Sequence, residues 1–460
     1  MLLLYPLFTV IFFLCAAPQS YAKEADSKLK ALNPTTKVQD LTSPKGQRIW
    51  IVEHHQAKVV SLMLMFRDAG SKSDPLNKEG RAKIAAALFD EGAGEYDAQH
   101  LKNKFLEQKV QWNVSCNEDV LEVFLRFPAE NLKAVVGLLK LVLAKPHYQQ
   151  DALDRNRNEM LTDISQSLHT ESVAAKIALN ELIYDPTHPY TRTPKQTLKA
   201  LPGITIDDIK SYRTERLGRD HLEVVAVGSL KPQEFLVSLD DMVADLPSKA
   251  TPLTIEEAGF KHLGEKKIVT TDIPQSFIYY LQPGIPYVDP DFIPATLMAR
   301  ILGSGAWESR LWNEIREKRG LAYSVDLVLQ NTDHSHLLLG QASSKNETAM
   351  QVIELIRTAW QEIFDHGITQ KELDLAKDYA LGDFVLHFDS TAAICRALAH
   401  YQHINLPPTY VNERNALFAK VTLEDMNRVT KRLIKPQDLT FVCVGSPQQS
   451  SSAPKKDQAA

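Results

Sequence analysis

Short apolar-rich runs at Gln47 to Val52 and Val59 to Phe66 read as strands, and alternation of apolar and polar positions marks another at Val120 to Phe127. Helical spacing marks Gly80 to Phe89, Asp97 to Gln108, Ala129 to Ala144 and a long stretch from Gln150 to Asn180. Further along, strands are predicted near Ser276 to Leu281, Tyr323 to Leu329 and His336 to Gly340, with helices from Asp291, from Ser309 and from Glu347 onward. Strands and helices mix without regular β-α alternation, so the expected class is α+β.

One segment recurs. Ile204-Thr205-Ile206-Asp207-Asp208-Ile209 precedes Glu223-Val224-Val225-Ala226-Val227-Gly228-Ser229, and Val421-Thr422-Leu423-Glu424-Asp425-Met426 precedes Thr440-Phe441-Val442-Cys443-Val444-Gly445-Ser446, both pairs 217 residues apart. In each copy a Thr can cap a helix that carries an acid in its first turn, and an apolar strand then ends at Gly. A constant offset implies duplication into two tandem α+β halves, each a mixed, mostly antiparallel sheet packed with helices. The division expected is a domain over 23–246, a polar, turn-rich linker over 247–266, a second domain over 267–446 and a disordered tail over 447–460.

Composition narrows the function. Of 460 residues, 44% are hydrophobic and 24% charged, which fits a globular chain with a sizeable core. A net charge of −5 lacks the broad basic field of a nucleic-acid binder. Leu2 to Ala17 is nearly continuous apolar sequence and Ser20-Tyr21-Ala22 supplies small residues, so residues 1–22 read as a secretory signal peptide, with a retained anchor as the alternative. Ala134 to Ala144 is too short for a membrane span, and none is expected after signal cleavage. Cys116, Cys395 and Cys443 are too sparse for a disulfide framework and read as buried apolar thiols.

Several chemistries are excluded. No phosphate-binding loop occurs, Gly303-Ser304-Gly305 lacks the third glycine of a dinucleotide fingerprint, and there is no nucleophile elbow. The pairs His54-His55, His334/His336 and His400/His403 have no clustered third ligand and read as polar histidines of turns and helix surfaces.

Gly80-Arg81-Ala82-Lys83-Ile84-Ala85-Ala86-Ala87, framed by Asp68-Ala69-Gly70-Ser71 and Glu91-Gly92-Ala93-Gly94, resembles the zinc-binding helix of the pitrilysin/insulinase metallopeptidases, the inverzincins. In that register Lys83 and Ala87 stand at the two His positions and Ala86 at the Glu. The resemblance puts Asp163, after Lys145-Pro146-His147, at the third-ligand position. Charged Lys has no lone pair and Ala offers only a methyl, so no metal is expected in this chain. Ser309-Arg310-Leu311 and Ile315 to Val325 resemble the family's Arg/Tyr motif, with Arg316 and Tyr323 at the substrate-gripping positions. His188, in Tyr184 to Tyr190, matches a structural histidine. The likeness runs from about Val38 to Ser446.

What this resemblance implies is a catalytically silent subunit of the bacterial two-half-chain branch. It would complement a homologous zinc-bearing subunit in peptide hydrolysis by donating Arg316 and Tyr323 to the substrate or its oxyanion. A heterodimer in the periplasm is the corresponding expectation. Alternatives are a non-hydrolytic peptide-binding or scaffold protein, and a self-sufficient metallopeptidase using Asp163 with His54 or His55.

Overall fold

In the computed structural model, residues 36–305, 308–386 and 388–448 are described; the signal segment and residues 449–460 of the expected tail lie outside them. The first sheet is built from β1 (Gln39–Thr42), β2 (Arg48–Glu53), β3 (Val59–Arg67), β4 (Gln111–Cys116), β5 (Val120–Pro128) and β6 (Leu222–Gly228), in the order β1-β2-β6-β3-β5-β4. Its helices are α1 (Arg81–Ala87), α2 (Ala98–Glu107), α3 (Leu132–Ala144), α4 (Gln150–Ser167), α5 (Glu171–Ile183), α6 (Pro194–Ala200), α7 (Ile206–Arg216) and α8 (Pro232–Met242).

The second sheet holds β7 (Lys266–Thr270), β8 (Gln275–Pro283), β9 (Ala322–Thr332), β10 (Ser335–Lys345) and β11 (Thr440–Gly445), in the order β7-β11-β8-β10-β9. With it come α9 (Phe292–Ala299), α10 (Ala349–His366), α11 (Gln370–Leu386), α12 (Thr391–His403), α13 (Tyr410–Lys420) and α14 (Leu423–Leu433). No helix of the described residues is long and apolar enough to cross a membrane.

Strand for strand, β2-β6-β3-β5-β4 repeats as β7-β11-β8-β10-β9. Both β6 and β11 pair parallel on one side and antiparallel on the other. The repeated sequence falls on equivalent elements. Thr205 and Thr422 each accept from the amide three residues on while Asp208 and Asp425 reach back to the cap, closing matching capping boxes on α7 and α14. Gly228 and Gly445 end β6 and β11 at φ +144 and +147. A Cβ on Gly228 would lie 2.1 Å from the Val59 carbonyl oxygen, so the strand end admits only glycine.

The halves interlock. Leu62, Leu64 and Phe66 of β3 join the core formed with helices of their own half, whereas Met63 and Met65 face a cluster holding Ile394, Cys395 and Leu398 of α12. Reciprocally, α5 places Leu179, Leu182 and Ile183 on the second sheet against Leu281, Leu337, Leu339 and Val442. Each half therefore lends one helix to the other's sheet, and β3 is buried on both faces, reading as a continuous apolar run. The sequence pattern also gave one helix from Gln150 to Asn180; the chain breaks it at 168–170, because α5 must turn away to reach the second sheet.

Charge joins the halves as well. The buried Lys72 ammonium lies 3.1 Å from Asp68, 3.2 Å from Asp119 and 2.7 Å from Asp333, the last in the β9–β10 turn. Burial opposes the charge, yet these carboxylates hold its pKa above that of an ordinary lysine. His403, at the end of α12, pairs with Asp333 at 3.0 Å and Glu223 at 3.5 Å, and Arg67 meets Glu223 at 2.5 Å.

Candidate functional site

Helix α1 is held at its start by Asp74, whose buried carboxylate accepts from the Gly80 amide at 3.0 Å and the Ala82 amide at 3.1 Å. Burial outweighs these bonds and Arg81, and raises its pKa to about 7. Ala82, Ile84, Ala85 and Ala86 pack into the first core, while Lys83 is exposed and Ala87 half-buried. Lys83 stands at the wall of a cavity of about 340 Å³ bounded by α1, α4, α5, the Pro189–Pro194 turn and the end of β9.

Asp163 is exposed on α4, and it is the neighbouring Ile164 and Ser167 that line this cavity. Ala86 points its methyl into the core, so no basic group faces the cavity from that position. His54 and His55 occupy the β2–β3 turn, His55 bonded to Glu53 at 3.0 Å, and nothing draws them toward Asp163. Among the described residues, no three His, Cys, Asp or Glu side chains converge to hold a metal ion. An ammonium, a buried methyl and a lone exposed carboxylate do not fit a zinc site.

Arg316 sits on a wide, π-helical turn, Trp312–Glu317, in which the Lys318 amide bonds to the Asn313 carbonyl at 3.0 Å. Gly320 at φ +61 releases the chain into β9. The Arg316 guanidinium lies 4.2 Å from the Trp312 ring centroid and donates to the Tyr323 carbonyl, fixing the two residues as one unit. Tyr323 is 53% exposed on β9, the last strand of its sheet. Among the described residues its phenol has no hydrogen-bond partner, so its O–H is available to a guest.

The two parts do not meet within the chain. Gln330 and Thr332 of β9 line the Lys83 cavity, and neither Arg316 nor Tyr323 does. Tyr323 and Thr332 are nine positions apart, roughly 30 Å of extended strand.

The histidines are where sequence reading fell short. His334, His336, His400 and His403 all line a cavity of about 890 Å³ between the halves, together with Asp119, Asp333 and Glu257. His334 lies in the β9–β10 turn and His400 is exposed on α12, as expected of turn and helix-surface histidines; what spacing did not show is that they share a cavity with His336 and His403. Folding, not spacing, gathers them, since the β9–β10 turn and α12 come from distant sequence. His334 and His336 lie 3.5 and 3.8 Å from Glu257. Partial desolvation and the neighbouring His403 push His400 down. His403 is pulled up to about 9 by Asp333 and Glu223 against the cost of burial. His188 acts as a turn residue, its imidazole accepting from the Tyr190 amide at 3.2 Å.

A duplicated α+β chain with exchanged helices defines a class of fold, and comparisons show what it is similar to. Residues 203–379 match the family described as Peptidase M16 inactive domain. A non-peptidase homologue, YmxG, of Helicobacter pylori is 28% identical over 397 residues, covering 86% of this chain and 90% of that protein. The probable mitochondrial-processing peptidase subunit beta of Schizosaccharomyces pombe is 20% identical, covering 88% and 91%. The crystal structure of a peptidase M16 inactive domain from Pseudomonas fluorescens superposes with a TM-score of 0.84 at 24% identity, over 91% of this chain and all of that one. The chain is thus similar in sequence and fold to peptidase M16, the pitrilysin family, and in particular to members described as inactive.

Proposed function

We propose that this chain is the silent subunit of a two-chain peptidase, pairing with a zinc-bearing homologue and presenting Arg316 and Tyr323 to the peptide held there. The observation that carries this reading is the separation of the Arg316/Tyr323 unit from the chain's own Lys83 cavity, with the phenol free at a sheet edge. A guanidinium and a phenol donate to a carbonyl oxygen and more strongly to the oxyanion that develops from it, so they assist only where a second site supplies the attack. That second site, with its zinc, belongs to the partner. The relatives include proteins named as processing-peptidase subunits, which agrees with an assembly of unlike chains. The apolar run at Leu2 to Ala17 supports export of the chain, which in a Gram-negative cell delivers it to the periplasm.

The test is co-expression. Alone, the mature chain releases no product from a fluorogenic peptide and carries no stoichiometric zinc. With a homologue bearing an intact His-x-x-Glu-His helix it forms a stable complex, and Arg316→Ala or Tyr323→Phe lowers the complex's kcat at least tenfold while leaving assembly intact. Full activity in both variants refutes the donated role. Stoichiometric zinc in the isolated chain would instead revive a self-sufficient peptidase. A complex that binds peptide but never cleaves it favours the non-hydrolytic peptide-binding role, for which the Lys83 cavity is the supporting feature.

A further inference from the structure

The Lys83 cavity continues into a groove of about 320 Å³ over the second sheet, and Lys176 of α5 and Gln330 of β9 border both. Tyr279, Gln341 and Asp326 are cross-strand neighbours on β8, β10 and β9 and form the groove's floor beside α5. Two cations here lack partners: neither Lys83 nor Lys176 has a carboxylate within salt-bridge distance or a hydrogen-bond acceptor among the described residues. Burial lowers the pKa of Lys176, with only Glu118 acting against it. An incoming anion would relieve that desolvation.

Two buried acceptors at the same wall lack donors. Asn180 Nδ2 donates to the Tyr190 carbonyl at 2.9 Å, which assigns its other atom as oxygen, and this Oδ1 has no partner. Glu79 Oε1 accepts from the Thr197 hydroxyl at 3.2 Å, and its Oε2 is likewise unpaired. Unpaired buried acceptors are uncommon in folded proteins and call for a guest that brings N–H groups. A phosphate or sulfate brings none. The end of a peptide brings both an anion and amide donors.

We propose that this cavity binds a peptide carboxylate, with Lys83 and Lys176 holding the anion and Asn180 Oδ1 accepting the adjoining peptide N–H. The inference rests on the non-hydrolytic peptide-binding role above, for which this cavity is the supporting feature: here the chain offers ammonium groups to a chain end or an acidic side chain. The two sources differ in one respect, since only a free C-terminus loses its charge on amidation.

The probe is a pool of N-terminally fluorescein-labelled nonapeptides of mixed sequence, prepared as free acids and as C-terminal amides, with and without Asp and Glu, and titrated by anisotropy against the full mature chain. Free acids are expected to bind at least tenfold tighter than amides lacking Asp and Glu. Lys83→Met and Lys176→Met should each erase most of that difference while leaving the neutral amides unchanged, which also reports that the variants are folded. A preference that follows Asp and Glu in amidated peptides assigns the site to acidic side chains. Equal binding of charged and neutral pools overturns the carboxylate site alone. Absence of binding by every pool overturns it together with peptide gripping by the isolated chain.

Discussion

Removing the ammonium of Lys72 tests whether charge holds the two halves together. Lys72→Met keeps most of the aliphatic stem but removes the ammonium that lies 3.1, 3.2 and 2.7 Å from Asp68, Asp119 and Asp333, leaving, among the described residues, Asp333 only His403 at 3.0 Å and Asp68 only His221 at 3.5 Å as ion-pair partners. Breaking a buried pair by deleting one partner costs about 3–5 kcal/mol, most of it from the charge left unpaired. Three carboxylates put this site at the upper end, against a total of about 5–15 kcal/mol for an ordinary domain. The sign with pH follows from the same geometry. Without Lys72 the carboxylates take up protons more readily in the folded chain, so the deficit is largest above neutrality and shrinks as pH falls toward 5. Urea unfolding of both proteins at pH 5 and pH 7.5, followed by tryptophan fluorescence, measures this. A double-mutant cycle with Asp333→Asn should return a coupling of about 1.5 kcal/mol or more. A loss below about 1 kcal/mol at pH 7.5, or a loss that does not depend on pH, would show that packing of α5 and α12 alone joins the halves.

Two other variants, one single and one triple, probe the same molecule. His403 titrates at about 9 when folded against 6.5 for a free imidazole, so it contributes stability that is full below 6.5 and lost as pH rises through 9, on the order of 3 kcal/mol. His403→Gln should therefore flatten the fall in urea midpoint between those limits, and an unchanged slope refutes the linkage. Restoring Lys83→His, Ala86→Glu and Ala87→His together should yield neither a zinc peptidase nor a stable protein. Ala86 is only 7% exposed within the first core, and a Glu there forces both overpacking and a buried charge. Metal analysis and a fluorogenic peptide assay decide this, with strong zinc-dependent hydrolysis as the contrary result.

The elements that pattern alone could mark were those with local causes. Thr205 and Thr422 cap their helices through bonds closed within three residues, and Gly228 and Gly445 end their strands at the same offset, so the duplication was readable from sequence. The edge strand β4 escaped notice although Gln111 to Cys116 alternates polar and apolar residues, because it is short, largely exposed or half-buried, and rich in Gln, Asn and Ser. Likewise β7 begins at Lys266, inside what reads as a polar, turn-rich connection, since an edge strand shows solvent much of its length.

By itself the sequence determined the chemistry that is missing: Lys83, Ala86 and Ala87 cannot serve as metal ligands or base wherever the backbone carries them, because lone pairs belong to residue types. It also set α+β halves in tandem, because capping and periodicity act over a few residues. Only the tertiary structure decided that α5 and α12 are exchanged, that four histidines share one cavity, and that Arg316 and Tyr323 stand apart from Lys83. Those facts depend on which faces remain to be buried after each sheet has formed, a balance struck between residues hundreds of positions apart that no local pattern records.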